Sequence, residues 1–598
     1  MRLVGFAVYA SVVTLLPAVM ALLHHGRDAV FLFLTGDAYL YLGIARNSPP
    51  EFYSFDGLRP TNGFHPFWQY FVWVVTSLFR DMPMVVMNIV AWTAILLAWI
   101  GALLGGLAAQ RLSGSWTLAL LVVPGVYFLL FGQSMGNMSI WEMFNGMEGA
   151  LAFALGAGIM LLATQAGQHG TRMAYWLVMG VLLAGLVFAR LDDGFVVAAM
   201  GLALIFWPGR GLMKGIWHAG LLSVPVALML VLYFLYNLDQ VGTMMPISGK
   251  AKGEGALLSN AWVTMLTFFS PLVELREGLS AYQGDRVALG GAALRVAQLL
   301  VPALMALMLL IAILRFFADR AWAPILVGAM GGIIIKALYS FVFANYWHQA
   351  PWYFTFACMA LAVTAAAVLG PSFARLRDAS PLLARGVAVF LVAFGLFHAS
   401  KPGLQAAERM TGTEAADVRS FWQARAETEA ILRAAEPDIR LLDFGDGLLG
   451  FSFGFPTRHG FVFAGDLESL AALQAGRLLR ESHADGFRVL GFYEYLRVPP
   501  EAEGWDSDRI RQFLDESHLD PRIKAELPLF DFEMLHIDPT TGAAFIRMRE
   551  RGADPAPVPA PVFAPEDDEG TAITEDAPPT EAVADEPDDD AQDDPGEP

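Results

Sequence analysis

Long apolar runs, most of roughly 18 to 25 residues, recur through the first two thirds of the chain and are broken by short polar turns. They lie near 3–23, 84–108, 115–131, 149–166, 174–190, 194–208, 216–236, 293–314, 323–343, 350–370 and 384–400. Runs of this kind predict about eleven membrane-spanning helices. The first follows Arg2 and has no small-residue cleavage site, so it is expected to be an uncleaved span. The aromatic stretch 65–79 is only about fifteen residues long and is expected to lie at the interface, where Trp and Tyr favour the headgroup zone.

After residue 400 the pattern changes. Residues 404–436 read as an amphipathic helical stretch. Short apolar runs at 439–444, 460–464, 487–493 and 530–537 are then separated by Gly, Pro and Asp, with a helix near 466–482. Such spacing suggests a small α/β domain over 401–550. Residues 551–598, rich in Pro, Ala, Asp and Glu, predict an acidic disordered tail. The expected organisation is a transmembrane domain over 1–400, whose first outer loop is 24–83, followed by the α/β domain and the tail.

Composition agrees with a membrane protein: 56% of residues are hydrophobic and 16% charged. Soluble domains carry about 25% charge. The net charge of −19 is concentrated at the end, because from Arg551 onward 16 acids face one Arg. The remainder is close to neutral, and a nucleic-acid partner is not expected. The single cysteine, Cys358, excludes an intramolecular disulfide and sits in an apolar run, where it packs as a small hydrophobe. With the N-terminus inside, the cytoplasmic joints carry Arg111, Arg172, Arg210, Lys214, Arg315, Arg320, Arg375, Arg377 and Arg385. That agrees with the positive-inside rule and puts loops 24–83, 132–148 and 237–292, and everything after 400, outside.

Candidate chemistry gathers in the first outer loop. A helix over 36–47 would set Asp37 and Tyr41 on one face and point Arg46 away. A carboxylate near a low-dielectric interface can act as a general base; the plainer alternative is an acid bonded to the amides of its own helix N-terminus. Arg59 and Asn62 follow in the same loop, and His65 precedes Pro66, which favours extended backbone there. His65 can orient a substrate or donate to a phosphate, or serve as a structural hydrogen bonder. No second His or Cys stands nearby at metal-ligand spacing, so a zinc site is not expected. Glu148 stands at the mouth of a span. The Arg190-Leu191-Asp192-Asp193 cluster sets two acids against one base and leaves one acid unpaired. Lys250 and Lys252 lie in an outer loop, against the usual bias, which suggests binding of an anionic group or simply solvated lysines. Trp347 and His348 belong to an aromatic belt that can stack on a sugar or anchor the chain at the interface. There is no Walker A sequence and no GxGxxG in a strand-turn-helix context, so a nucleotide site is not supported.

These motifs occur in an order that resembles the GT-C superfamily of membrane glycosyltransferases. They are Asp37-Ala38-Tyr39-Leu40-Tyr41-Leu42, Thr61-Asn62-Gly63-Phe64-His65-Pro66-Phe67-Trp68, Gly146-Met147-Glu148-Gly149-Ala150-Leu151, Ala189-Arg190-Leu191-Asp192-Asp193-Gly194 and Pro246-Ile247-Ser248-Gly249-Lys250-Ala251-Lys252. The nearest look is to the arabinofuranosyltransferase-like branch, with protein O-mannosyltransferases and lipid A aminoarabinose transferases more distant. The resemblance covers about residues 1–400, and the segments 443–450 and 463–466 are similar to a pattern after the last span of such enzymes. It implies a GT-C-like helical membrane protein in a bacterial inner membrane, with its C-terminal domain periplasmic or extracellular. It also implies a polyprenyl-phosphate sugar donor, an extracytoplasmic glycan, lipid or protein acceptor, and hexosyl or pentosyl transfer. Asp37 matches the expected base. Tyr41, Arg59, Asn62, His65, Glu148, Arg190, Asp192, Lys250, Lys252, Trp347 and His348 become the expected substrate-binding residues. No cofactor is expected, although a divalent metal is compatible with the resemblance. Gly36 stands where family members commonly carry the first of two acids. If that first acid is the base, the chain is inactive or uses another acid; if the second is, nothing is lost. Two other classes compete: a transporter or lipid flippase, favoured only by the midspan Lys336, and a degenerate GT-C-like assembly protein, favoured by Gly36.

Overall fold

The computed structural model describes residues 2–34, 36–130, 141–251, 320–343, 351–409, 414–445, 447–493 and 498–552. The long apolar runs fold as helices: α1 Arg2–His25, α2 Gly36–Asn47, α3 Pro66–Leu78, α4 Pro83–Ser113, α5 Trp116–Leu130, α6 Gly149–Ala163, α7 Met173–Ala189, α8 Gly194–Phe206, α9 Leu212–Gln240, α10 Ala323–Phe343, α11 Thr355–Ala379 and α12 Pro381–Arg409. Four helical stretches among the described residues are long and apolar enough to cross a membrane: Arg2–Phe33, Pro83–Ser113, Leu212–Gln240 and Thr355–Ala379. Several shorter apolar helices accompany them, so the chain is a multi-pass membrane protein. The run 293–314 lies outside the described residues. The aromatic stretch 65–79 forms α3, a helix of 13 residues, or about 20 Å, shorter than a bilayer core.

Small residues let these helices approach closely, as is usual where lipid supplies no hydrophobic drive between them. A Cβ added to Gly328 or Gly332 would come within 2.4 Å of the backbone of Met200 or Val196. Gly328, Gly332 and Lys336 are spaced four apart and share one face of α10. The two glycines therefore press that face onto α8 and bring Lys336 to the residues just before it.

Beyond α13 (Glu414–Ala435) the chain forms a five-stranded sheet in the order β2-β1-β3-β5-β4. Its strands are β1 Leu441–Asp443, β2 Thr457–His459, β3 Val489–Phe492, β4 Phe530–Ile537 and β5 Ala544–Glu550. β1 pairs in parallel with β2 and β3, while β5 runs antiparallel to β3 and β4. Three expectations shift here. The run 460–464 is a turn following β2, not a strand, and Val462 adopts φ 63° within it. The helix expected near 466–482 is two helices, Leu467–Gln474 and Leu478–Ala484, parted at Gly476 with φ +63°. β5 was not anticipated, because Arg547 and Arg549 break its apolar run along the sequence.

The sheet region and the membrane helices belong to one compact unit, Met1–Ala553. The sheet region docks on the 36–68 segment. The Thr61 hydroxyl donates to the Gly465 carbonyl at 2.5 Å. Arg46 donates to the Phe451 and Ser452 carbonyls. Gly447, at φ +87°, lies against the backbone of Tyr39 and Leu40 with no room for a side chain.

Candidate active site

The ends of several helices converge under this docked segment. In α2 the four-residue spacing places Asp37 and Tyr41 on one wall of a cavity of about 60 Å³. The other walls include His65, Glu148, Ser248, Tyr353 and Phe463. His65 has φ −90° and ψ 121°, the extended backbone that a following proline favours, and it immediately precedes α3. Its Nδ1 accepts from the Leu191 amide at 3.4 Å, and its Nε2 stands 3.6 Å from Glu148 Oε1.

Glu148 is fully buried at the start of α6. It accepts from the Tyr41 hydroxyl at 2.9 Å and from the Arg190 guanidinium at 2.5 Å. Burial pushes the Glu148 carboxyl up, although Arg190 and the Tyr41 hydrogen bond pull the other way. Burial, reinforced by the Glu148 charge, also holds the Tyr41 hydroxyl well above the usual phenol range. Tyr41 is therefore a proton donor to Glu148, not a phenolate. Trp68 donates to the Gly146 carbonyl at 2.8 Å and so fixes the turn that presents Glu148.

Arg190 continues the network, donating through Nε and a terminal nitrogen to both oxygens of Asp192, each at 3.2 Å. Its guanidinium also lies over the Tyr353 ring, 4.2 Å from the centroid. Burial disfavours the Asp192 charge, but Arg190 and Lys336 outweigh it and hold the carboxyl well below the usual range. Lys336 Nζ reaches Asp193 at 2.7 Å, Asp192 at 3.0 Å and the Tyr353 carbonyl at 2.7 Å. The acid expected to be unpaired beside Arg190 thus has its base on a distant helix. Lys336, Asp193 and Tyr353 were not among the expected site residues. The signal was the surplus acid in Arg190-Leu191-Asp192-Asp193, which required a second cation.

Other expected site residues fall elsewhere. Arg59 pairs with Asp466 at 3.7 Å, Glu468 at 3.1 Å and Asp485 at 2.9 Å, in a clamp between the first loop and the sheet region. Asn62 is fully buried and accepts from the Ile247 amide at 3.0 Å while donating to the Met245 carbonyl at 3.3 Å. It thereby ties the first loop to the segment that carries Ser248 and Lys250. Lys250 is exposed in the short helix Ile247–Ala251. Lys252, Trp347 and His348 lie outside the described residues. Among the described residues, no group of three His, Cys, Asp or Glu side chains is arranged to hold a metal ion.

No protein-family model and no curated protein matches the chain. Solved structures do. ArnT from Cupriavidus metallidurans bound to undecaprenyl phosphate is 12% identical, with a TM-score of 0.50 over 90% of this chain and 97% of that one. The same protein in its apo state is 14% identical, with the same score and coverage. AglB, an archaeal oligosaccharyltransferase from Archaeoglobus fulgidus in complex with an inhibitory peptide and a dolichol-phosphate, is 12% identical with a TM-score of 0.48, over 92% of this chain and 74% of that one. The likeness to ArnT spans nearly the full length of both chains and gives this chain a GT-C fold.

Proposed function

We propose that the protein is a glycosyltransferase of the GT-C type. It takes a sugar from a polyprenyl-phosphate carrier and transfers it, as a hexosyl or pentosyl unit, to an extracytoplasmic glycan, lipid or protein. The observation that carries this reading is the cavity that Asp37, Tyr41, His65 and Glu148 line together at the converging ends of the apolar helices. The ArnT structure with bound undecaprenyl phosphate supports the donor class. In this reading the cavity opens outside a bacterial inner membrane, as the positive-inside pattern of the joints suggests.

Asp37 accepts the proton of an acceptor hydroxyl as that oxygen attacks the anomeric carbon. The C–O bond to the lipid phosphate breaks, and the phosphate leaves with the bonding electrons. His65 and Tyr41 line the path of the reacting groups. Glu148, Arg190 and Asp192 position them, because each is engaged by its neighbours. An incoming phosphate finds no free charge on Arg190 or Lys336, both of which are neutralised by acids. Lys250, exposed two residues beyond the cavity-lining Ser248, and Lys252 are left to offset the charge on the leaving group. The position of Asp37 in the cavity lining supports the second acid of the pair, rather than the position held by Gly36, as the base.

Lys336, the residue that favours the transporter alternative, is paired with Asp192 and Asp193, which supports a structural role for it. The test is mass analysis of envelope glycans and lipids from a deletion strain. A missing sugar restored by the wild-type gene, together with accumulation of its polyprenyl-phosphate donor, is the expected result. Unchanged glycans and lipids would overturn the reading.

A further inference from the structure

A second cavity, of about 270 Å³, lies in the sheet region and shares a wall with the Asp37 cavity. Phe463 lines both. The short helix Ile247–Ala251 also runs from one to the other, with Ser248 at the first cavity and Ala251 at the second. The volume approaches the lower end of small-ligand pockets, ~300 Å³, and suits one sugar ring.

Its lining has an apolar part, in which Leu470, Leu473 and Ile523 join two aromatic rings, and a polar part. Phe461 and Phe463 form an aromatic side, their rings 6.2 Å apart and within 20° of parallel. Both are half-buried, flanking Val462, whose own side chain is buried in the sheet core. Val462 holds φ 63°, a conformation unfavourable for a β-branched residue that persists where the surroundings impose it. The Gly63 backbone, too close to the Phe463 carbonyl for any Cβ, presses on the same turn. The polar side consists of Gln474, Asp520 and Arg522, with Arg522 donating to both Asp520 oxygens at 2.8–2.9 Å. This rim supplies donors and acceptors together, and the charge on Arg522 is already met by Asp520. A phosphate would meet the Asp520 carboxylate, and an acyl chain would strand the polar rim. A neutral, hydroxyl-rich ring with one apolar face matches both sides.

We infer that this pocket is a carbohydrate subsite, which holds a sugar of the acceptor while the adjoining residue presents its hydroxyl to Asp37. The inference rests on the glycosyltransferase reading for its role, and its binding test does not.

Saturation-transfer NMR on the full-length protein in detergent, with methyl glycosides of mannose, galactose and arabinose as probes, reads occupancy without turnover. At least one glycoside should receive saturation on its ring protons from the wild type and equally from Asp37→Asn. Phe461→Leu keeps the apolar bulk and removes the aromatic face, and should weaken binding about tenfold. Gln474→Ala, at an exposed rim position, should weaken it severalfold without disturbing the fold. Absence of transfer from the wild type, or transfer unchanged in both variants, would overturn the subsite. Glycoside binding by a protein inert toward polyprenyl-phosphate sugars would instead overturn the enzyme reading alone.

Discussion

Two charged clusters frame the Asp37 cavity, and they are built on different terms. Behind it, Glu148, Arg190, Asp192, Asp193 and Lys336 form a largely buried network, with the side chains of Arg190 and Lys336 only 3% and 2% exposed and Asp192 the most open member at 24%. At the junction with the sheet region, Arg59 and Arg458 bridge Asp56, Asp466, Glu468 and Asp485, and Arg59 and Glu468 are 28% and 71% exposed. In the first cluster a missing member strands a charge at low dielectric. In the second, Arg458 and Asp56 are buried as deeply, at 2% and 4%, and only around Arg59 does water replace most of what is lost. The buried cluster therefore sets geometry, and the exposed Arg59 arm of the other only helps hold two surfaces together.

The largest effect should come from breaking the buried cluster. Lys336→Met leaves Asp193 buried without its base and should cost about 3–5 kcal/mol, read as a large fall in the thermal unfolding temperature in detergent. A variant as stable as the wild type would dissolve the distinction between the clusters.

A buried acid with no ion pair among the described residues comes next. Asp443, at the end of β1, is fully buried, and burial pushes its carboxyl up to about 7. The folded state keeps a proton that the unfolded chain has already lost, so stability is undiminished at pH 4 and falls as the pH rises toward 7. Asp443→Asn retains the acceptor for the Gly445 amide, which bonds Asp443 at 2.7 Å. Its stability relative to the wild type should improve by on the order of 3 kcal/mol between pH 4 and pH 8. A constant difference across that range would count against the shift.

Gly63→Ala probes the junction without touching a charge. The new Cβ would sit 2.2 Å from the Phe463 carbonyl, so the first loop or the Phe463 turn must move. A loss of about 1–3 kcal/mol is expected, with faster proteolysis of the sheet region. Smallest of all, Arg59→Ala should cost about 1 kcal/mol or less and lose even that at high salt. A larger cost would make the open clamp structural after all.

Much of this arrangement was legible from residue patterns, and the gaps have physical causes. The period of the apolar runs identified the helices, and the four-residue spacing in 36–47 correctly paired Asp37 with Tyr41. The surplus acid after Arg190 announced a partner, but Lys336 lies 143 positions from Asp193 along the chain. Only packing through Gly328 and Gly332 brings it close. Arg59 sits in the same loop as Asp37 and yet serves the junction, because which way a loop side chain turns depends on the surface that docks on it. The strand reading of 460–464 failed for a related reason. Its apolar residues are spent on a turn that buries Val462 and presents Phe461 and Phe463 to a pocket, so hydrophobicity there does not mark a strand.

The central claim is that Asp37 is the base. The most direct measurement is single-turnover transfer by purified Asp37→Asn, with donor and acceptor matched to the sugar lost from a deletion strain. The account predicts a fall of about 10²–10⁴-fold in rate with donor affinity retained. Transfer at the wild-type rate would contradict it.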